Sequence, residues 1–315
     1  MACIYCASLD SKRVIELKDI SGDQHYFDLC QKCGIYFLNP QPTKQQLSIA
    51  YDDSYYGEGE KKFNAAVEKV LDWFRRRSAQ YVAKEIPQGG RILDIGCGNG
   101  NFLKFLGETG NYELHGIEPE GKSAERTEQN SEINLHKGYL SSDLYQDSYF
   151  DLITLTHVFE HLPNPKEVLE IISRVAKTNS TLVIEIPNVS SWQSKFFKGK
   201  WFHLDAPRHL NMFPSEILKK EVEKHGWEIQ KERFFSIQFS PFGAQQSILN
   251  TMLKKRDVLY EHLKGNLSYT KGYSSFSLAL QKVYHWLSFP FFIITDLIAS
   301  IFKKGATVQL IFKKK

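Results

Sequence analysis

The chain of 315 residues is poor in cysteine, carries little net charge, and lacks an unbroken apolar run of the roughly 20 residues that a membrane-spanning helix needs. Its most apolar stretch, residues 286–302, has 17 residues and is interrupted by Pro290 and Asp296. A formal charge of +4 is slight for this length and does not announce a nucleic-acid partner; part of the excess is local, at Lys303, Lys304 and Lys313 to Lys315. Met1-Ala-Cys-Ile-Tyr-Cys6 has neither the basic start nor the apolar core of a secretory leader, so a cytoplasmic location is expected. The length exceeds one average domain, which leaves room for a core and an appendage.

Five cysteines in a cytoplasmic protein favour metal or thiolate chemistry over disulfides. Four form two pairs, Cys3-x-x-Cys6 and Cys30-x-x-Cys33, separated by 23 residues. Each pair makes a knuckle that offers two sulfurs to one tetrahedral ion, so residues 1–38 read as a zinc-ribbon-like module. A closed set of four sulfurs leaves no open position, and the zinc would be structural. Cys97, the fifth, sits in a glycine turn and is assigned no chemistry.

That turn is the most informative segment. In Arg91-Ile-Leu-Asp-Ile-Gly-Cys-Gly-Asn-Gly-Asn101 a short apolar strand runs into Gly96, Gly98 and Gly100, and Phe102, Leu103, Phe105 and Leu106 begin a helical face. Asp94 at the strand's end would repel a pyrophosphate but suits a ligand carrying an ammonium and a sulfonium. The next strand ends in Glu118, 18 residues after Gly100, close to where such folds place an acid on a ribose diol. Together these segments resemble the class I S-adenosylmethionine-dependent methyltransferases, over residues 70–235 and the last strand. The resemblance implies S-adenosylmethionine as cofactor, a seventh strand antiparallel beside the fifth, adenine contacts at Tyr139 and Leu140, and Thr156 and His157 beside the methyl group.

The period of the apolar residues supports an α/β fold with a seven-stranded Rossmann-like doubly wound sheet. Expected strands are 91–95, 112–118, 133–137, 149–156, 180–186, 227–235 and 306–312. Residues 39–90 form a linker and N-terminal helices, with Tyr55 and Tyr56 as lid residues by resemblance, and with Phe63, Val67, Val70, Leu71, Phe74 and Tyr81 as an amphipathic face carrying Arg75 to Arg77. The methyltransferase core covers 91–236, a helical insertion 237–305, and the final strand with a basic tail 306–315. In the insertion, residues 286–304 are either part of a cap over the substrate cleft or a contact with a membrane surface.

A hydroxyl nucleophile needs a proton acceptor, for which histidine is the default. His157, His161, His203 and His209 are candidates. His209 ranks first, because Asp205-Ala-Pro-Arg-His209 lies in a long aromatic loop, 188–213, and resembles a segment of methyltransferases associated with cell-surface glycans. Asp205 would orient His209 or fix the loop, and Arg208 would hold an anionic group; the alternative is that His209 and Arg208 pin the loop by hydrogen bonds. His157-x-x-Glu160-His161 replaces the Glu-x-x-Glu-His pattern with which some quinone-ring O-methyltransferases bind a divalent ion, which weakens a hard-metal site here. The Asn/Asp-Pro-Pro-aromatic turn of base-amine methyltransferases is missing. The expected activity is O-methylation of a sugar or lipid-linked glycan hydroxyl. Rivals are a quinone or other small-molecule O-methyltransferase, a ribbon-bearing RNA methyltransferase, disfavoured by the acids of residues 1–38, and a scaffold without catalysis.

Overall fold

A computed structural model describes residues 2–51 and 65–315. Tyr55, Tyr56 and Phe63 lie outside the described residues, as do the side chains of Val67, Val70 and Leu71. In chain order the elements are β1 (Ser11–Lys18), β2 (Gln24–Cys30), β3 (Tyr36–Leu38), α1 (Lys44–Ala50), α2 (Ala65–Ala83), β4 (Arg91–Ile95), α3 (Asn101–Gly107), β5 (Glu113–Glu118), α4 (Lys122–Glu128), β6 (Ile133–Lys137), β7 (Phe150–Thr156), α5 (Pro165–Val175), β8 (Ala176–Pro187), α6 (Trp192–Phe197), β9 (Asn211–Met212), α7 (Ser215–Lys224), β10 (Trp227–Arg233), α8 (Ser240–Met252), α9 (Val258–Leu263), α10 (Leu267–Thr270), α11 (Ser275–Ile301) and β11 (Thr307–Lys314). They divide into two compact units.

One unit spans 65–186, 218–232 and 309–315 and holds the seven-stranded sheet, in the order β10-β11-β8-β7-β4-β5-β6. The expected seventh strand is therefore next to the fifth, β8. Strands β4 to β8 pair in parallel. Parallel strands covered on both faces need continuous apolar runs, which β4 supplies with four of its five residues buried. Ala79, Val82, Ile92, Leu103, Leu106, Leu114 and Leu152 pack in one core beside it. Observed strand ends match the expected ones closely, except that β8 begins at Ala176, directly after α5.

The other unit gathers the described residues of 1–64 with 187–217 and 233–308. The cysteine-bearing segment, the aromatic loop, expected within the core, and the helical insertion share this unit. Strands β1, β2, β3 and β9 form a four-stranded sheet in that order, with antiparallel pairing throughout. Phe27 and Leu38, paired across β2 and β3, join Ile15, Leu17, Trp201, Leu204 and Met212 in its core.

Residues 286–302 do not form a separate segment. They belong to the 27-residue α11, which is capped by the Ser274 side chain and runs through Pro290 and Asp296. Among the described residues it is the one helix long and apolar enough, by length and composition, to cross a membrane. Just before Pro290, Gln245 on α8 ties the two helices together, donating to the His285 carbonyl and to Ser288 Oγ at 2.8 and 2.7 Å.

Candidate functional site

Asp94 and Glu118 sit at the carboxyl ends of the neighbouring parallel strands β4 and β5, 4% and 5% exposed. Between them runs the glycine turn. Gly96, Gly98 and Gly100 all have positive φ, at 71°, 58° and 70°, which a residue with a Cβ adopts only with strain. A Cβ on Gly96 would collide with Val158, whereas one on Gly98 would meet open space, so the backbone at Gly98 is approachable. The turn is held by Gly98 N–H donating to Glu118 Oε2 at 2.9 Å and by Thr127 Oγ1 donating to the Gly98 carbonyl at 2.8 Å.

Asp94 has a partner that the sequence reading missed. Thr154 Oγ1, in the middle of β7, donates to Asp94 Oδ1 at 2.6 Å. Burial nonetheless raises the Asp94 carboxyl to about 7, with the Glu118 charge adding to the rise against the Thr154 bond. Burial likewise lifts Glu118 to about 7, opposed by the Gly98 N–H. Two carboxylates that repel each other in a nearly dry place fit a cationic ligand. S-adenosylmethionine, which carries an ammonium and a sulfonium, meets this requirement. Cys97 is buried and its thiol is pushed well up, first by burial and then by the charges of Asp94 and Glu118, which suits an inert packing group.

Thr156, the last residue of β7, is exposed, as is Tyr139; Leu140 is half-buried. His157 follows in a left-handed conformation, φ 55°. Its Nδ1 lies 3.3 Å from Glu160 Oε1 and its Nε2 lies 3.8 Å from Glu185 Oε1, while Gln309 Nε2 donates to Glu185 Oε2 at 3.0 Å. Burial works against a charged ring, but the bond and charge of Glu160 and the charge of Glu185 prevail and raise the His157 pKa. A histidine stabilised as a cation is a poor proton acceptor at neutral pH. Glu160, Glu185 and Gln309 come from separate elements, and only Glu160 belonged to a motif. The arginines of α2 are engaged locally: Arg75 pairs with Asp72, Arg76 pairs with Glu108 and covers Phe105, and Arg77 covers Trp73.

In the other unit, the Asp205 carboxylate is taken by Arg208, whose Nε and Nη2 donate to Oδ2 and Oδ1 at 2.9 and 2.5 Å. Arg208 Nη1 also donates to the Ala50 carbonyl at 2.7 Å. Asp205 meets His209 through its backbone, with Asp205 N–H approaching His209 Nδ1 at 3.4 Å. Such a donor favours the neutral tautomer with its proton on Nε2, so Nδ1 accepts a substrate proton only when this long contact opens. His203 is a packing residue: it lies edge-on to Trp201 and Phe202, and its ring occupies the space that a side chain on Gly243 would fill.

Cys3, Cys6, Cys30 and Cys33 come together, with their Sγ atoms within 4.8 Å of one another and none in a disulfide. The Cys3–Cys33 and Cys6–Cys30 separations are 3.7 and 3.5 Å. Four sulfurs each about 2.3 Å from a tetrahedral ion would be about 3.8 Å apart, so the donor set and its spacing fit a metal.

The sheet order, the glycine turn and the acid-ended strands define the Rossmann-like fold of the S-adenosylmethionine-dependent methyltransferases. Residues 66–232 match the methyltransferase domain family. The chain belongs to that family. It is similar to the demethylmenaquinone methyltransferase of Bacillus licheniformis, 25% identical over 158 residues that cover 48% of this chain and 66% of the relative. The ubiquinone biosynthesis O-methyltransferase of Methylococcus capsulatus is 29% identical over 144 residues, 43% of this chain and 60% of the relative. The chain thus spans somewhat less than two thirds of the length of these curated relatives. Among solved structures, a putative sarcosine dimethylglycine methyltransferase from Galdieria sulphuraria shares the fold with a TM-score of 0.50 and 16% identity, covering 80% of this chain and 91% of that one. The [4+2]-cyclase SpnF does so with a TM-score of 0.51 and 15% identity, covering 87% and 97%. At these identities the likeness concerns the fold alone.

Proposed function

We propose that the protein transfers the methyl group of S-adenosylmethionine to a hydroxyl of a small-molecule acceptor, a sugar or lipid-linked glycan intermediate. The observation that carries the methyl-transfer reading is the buried Asp94 and Glu118 pair on either side of a glycine turn with an approachable backbone. The bound donor supplies an already activated methyl carbon. The chain's own part is orientation, which in favourable cases contributes ~7 to 11 kcal/mol. Asp94 holds the ammonium, Glu118 the ribose diol, Tyr139 and Leu140 the adenine, and Thr156 borders the methyl group.

His209 takes the hydroxyl proton once its Nδ1 contact with Asp205 opens, and the Arg208–Asp205 pair fixes the loop on which it sits. The Arg208 guanidinium, committed to Asp205 and to the Ala50 carbonyl, is a positioning group in this reading rather than an anion holder. His157 supports the end of β7 through its carboxylate partners. A zinc ion on Cys3, Cys6, Cys30 and Cys33 would staple the small antiparallel sheet and take no part in transfer. A lipid-linked acceptor would be met by a cytoplasmic protein at the inner face of the membrane.

A second reading, a quinone-ring acceptor, is favoured by the relatives that act in menaquinone and ubiquinone biosynthesis, as their names state. The test is to incubate the purified protein with methyl-labelled donor and, separately, a nucleotide-sugar pool, a lipid extract, quinone precursors and total RNA. Label in the sugar or lipid-linked pool supports the glycan reading; label in quinone precursors selects the second; label in RNA overturns both. His209→Gln is expected to keep donor affinity and to slow transfer at least ~100-fold. Unchanged turnover removes His209 from the mechanism.

A further inference from the structure

Helix α11 has two faces that its neighbours treat differently. One packs against α8, burying Gln281, Phe292, Asp296 and Ala299, which recur at helical spacing. The other carries Leu280, Val283, Leu287, Phe291, Ile294 and Ile301 at intervals of three, four or seven residues, each between 51% and 77% exposed. A continuous apolar stripe along a 27-residue helix, about 40 Å long, far exceeds the scattered apolar residues of an ordinary surface.

The charges around it are of one sign. Residues 254–304 contain eight lysines and arginines and three acids. The acids, Asp257, Glu261 and Asp296, are all buried, whereas Lys271, Lys282, Lys303 and Lys304 are exposed. Lys271 lies just before α11, Lys282 within it, and Lys303 and Lys304 just after it. The segment carries a net +5, more than the whole chain's +4.

We infer that α11 is a docking surface for an anionic lipid bilayer and lies in the plane of the interface, its apolar stripe among the acyl chains and its lysines at the headgroups. A second copy of this chain is a poorer occupant, because it would bring two lysine-bordered faces together. Spanning the bilayer would strip α11 from α8 and place the buried Asp296 in hydrocarbon. A flat orientation keeps it against α8. The inference goes beyond methyl transfer and does not depend on it, since docking is measured without donor or acceptor.

The test is sedimentation of the full chain with vesicles of phosphatidylcholine alone or with roughly one third phosphatidylglycerol. Binding to the anionic vesicles is expected, at least ~10-fold weaker on phosphatidylcholine and at high salt. The double substitution Leu287→Glu with Phe291→Glu should weaken it at least ~10-fold further, with circular dichroism and S-adenosylmethionine binding unchanged. For the unaltered protein, brominated acyl chains should quench fluorescence that disappears in Trp286→Phe, Trp286 being 69% exposed on this helix. No binding to anionic vesicles, or a dimer in solution that the same double substitution dissociates, would overturn the proposal.

Discussion

The two units reach their folds by opposite routes. The sheet unit draws six of its seven strands from residues 91–233, with β4, β5 and β6 paired in sequence order and β7 beside β8, and takes only β11 from residues 307–314. The other unit pairs β3 at Tyr36 and Phe37 with β9 at Asn211 and Met212, across more than 170 residues, and holds a four-cysteine cluster beside its small sheet. A zinc ion on those four sulfurs would staple the small sheet, whose β3 and β9 have only three and two residues. The difference teaches where each unit is vulnerable: one at its ligand acids, the other at its sulfurs.

The largest effect is expected from the staple. Atomic emission should find about one zinc per chain, and Cys30→Ser should lose it. Hydrogen exchange should then accelerate at least ~100-fold in β1 to β3 and β9, with β4 to β7 still protected. Equal acceleration in both sheets would break the comparison. Glu118→Ala is expected to weaken S-adenosylmethionine about 10- to 100-fold by calorimetry, because it removes the anchor of Gly98 and, in the proposed reading, the diol acceptor.

The pH dependence sharpens the same contrast. Asp94 and Glu118 have carboxyls raised to about 7 in the folded chain, so the native state holds more protons than the unfolded one between about pH 4 and 7. That contribution to stability is full below about pH 4 and is lost as pH rises through about 7. Donor binding needs the ionised acids, so affinity should fall up to ~10-fold per unit for each acid as pH drops below about 7. A flat affinity profile between pH 8 and 6 would contradict the paired-acid account. The smallest effect is expected for Thr154→Val, which removes one hydrogen bond from Asp94 and should weaken the donor only ~5-fold.

Much of the sheet unit was legible because apolar runs and glycine turns are local signals. Arg91–Ile95 and Ile133–Lys137 have the expected ends, and Asp94 and Glu118 stand where a strand's end places them. The partners of those acids were not legible. Thr154 reads as an interior strand residue until β7 lies beside β4, and Glu185 and Gln309 meet only because β11 inserts beside β8. Strand β9 is two residues long and has no period of its own. The bounds of helix α11 were not read from the apolar stretch 286–302, although Ser274 three residues before Ser277 was an available N-cap signal. Asp205 and His209 were rightly seen as neighbours on one loop, but spacing could not show that the carboxylate would turn to Arg208.

The most direct measurement is a calorimetric titration of the full chain with S-adenosylmethionine at pH 8, repeated on Asp94→Ala. Saturable binding at one site by the unaltered chain, abolished in the variant while its circular dichroism is retained, is the predicted result. No binding by the unaltered chain, or equal affinity in a folded Asp94→Ala protein, would contradict the claim that the buried acid pair holds a cationic methyl donor.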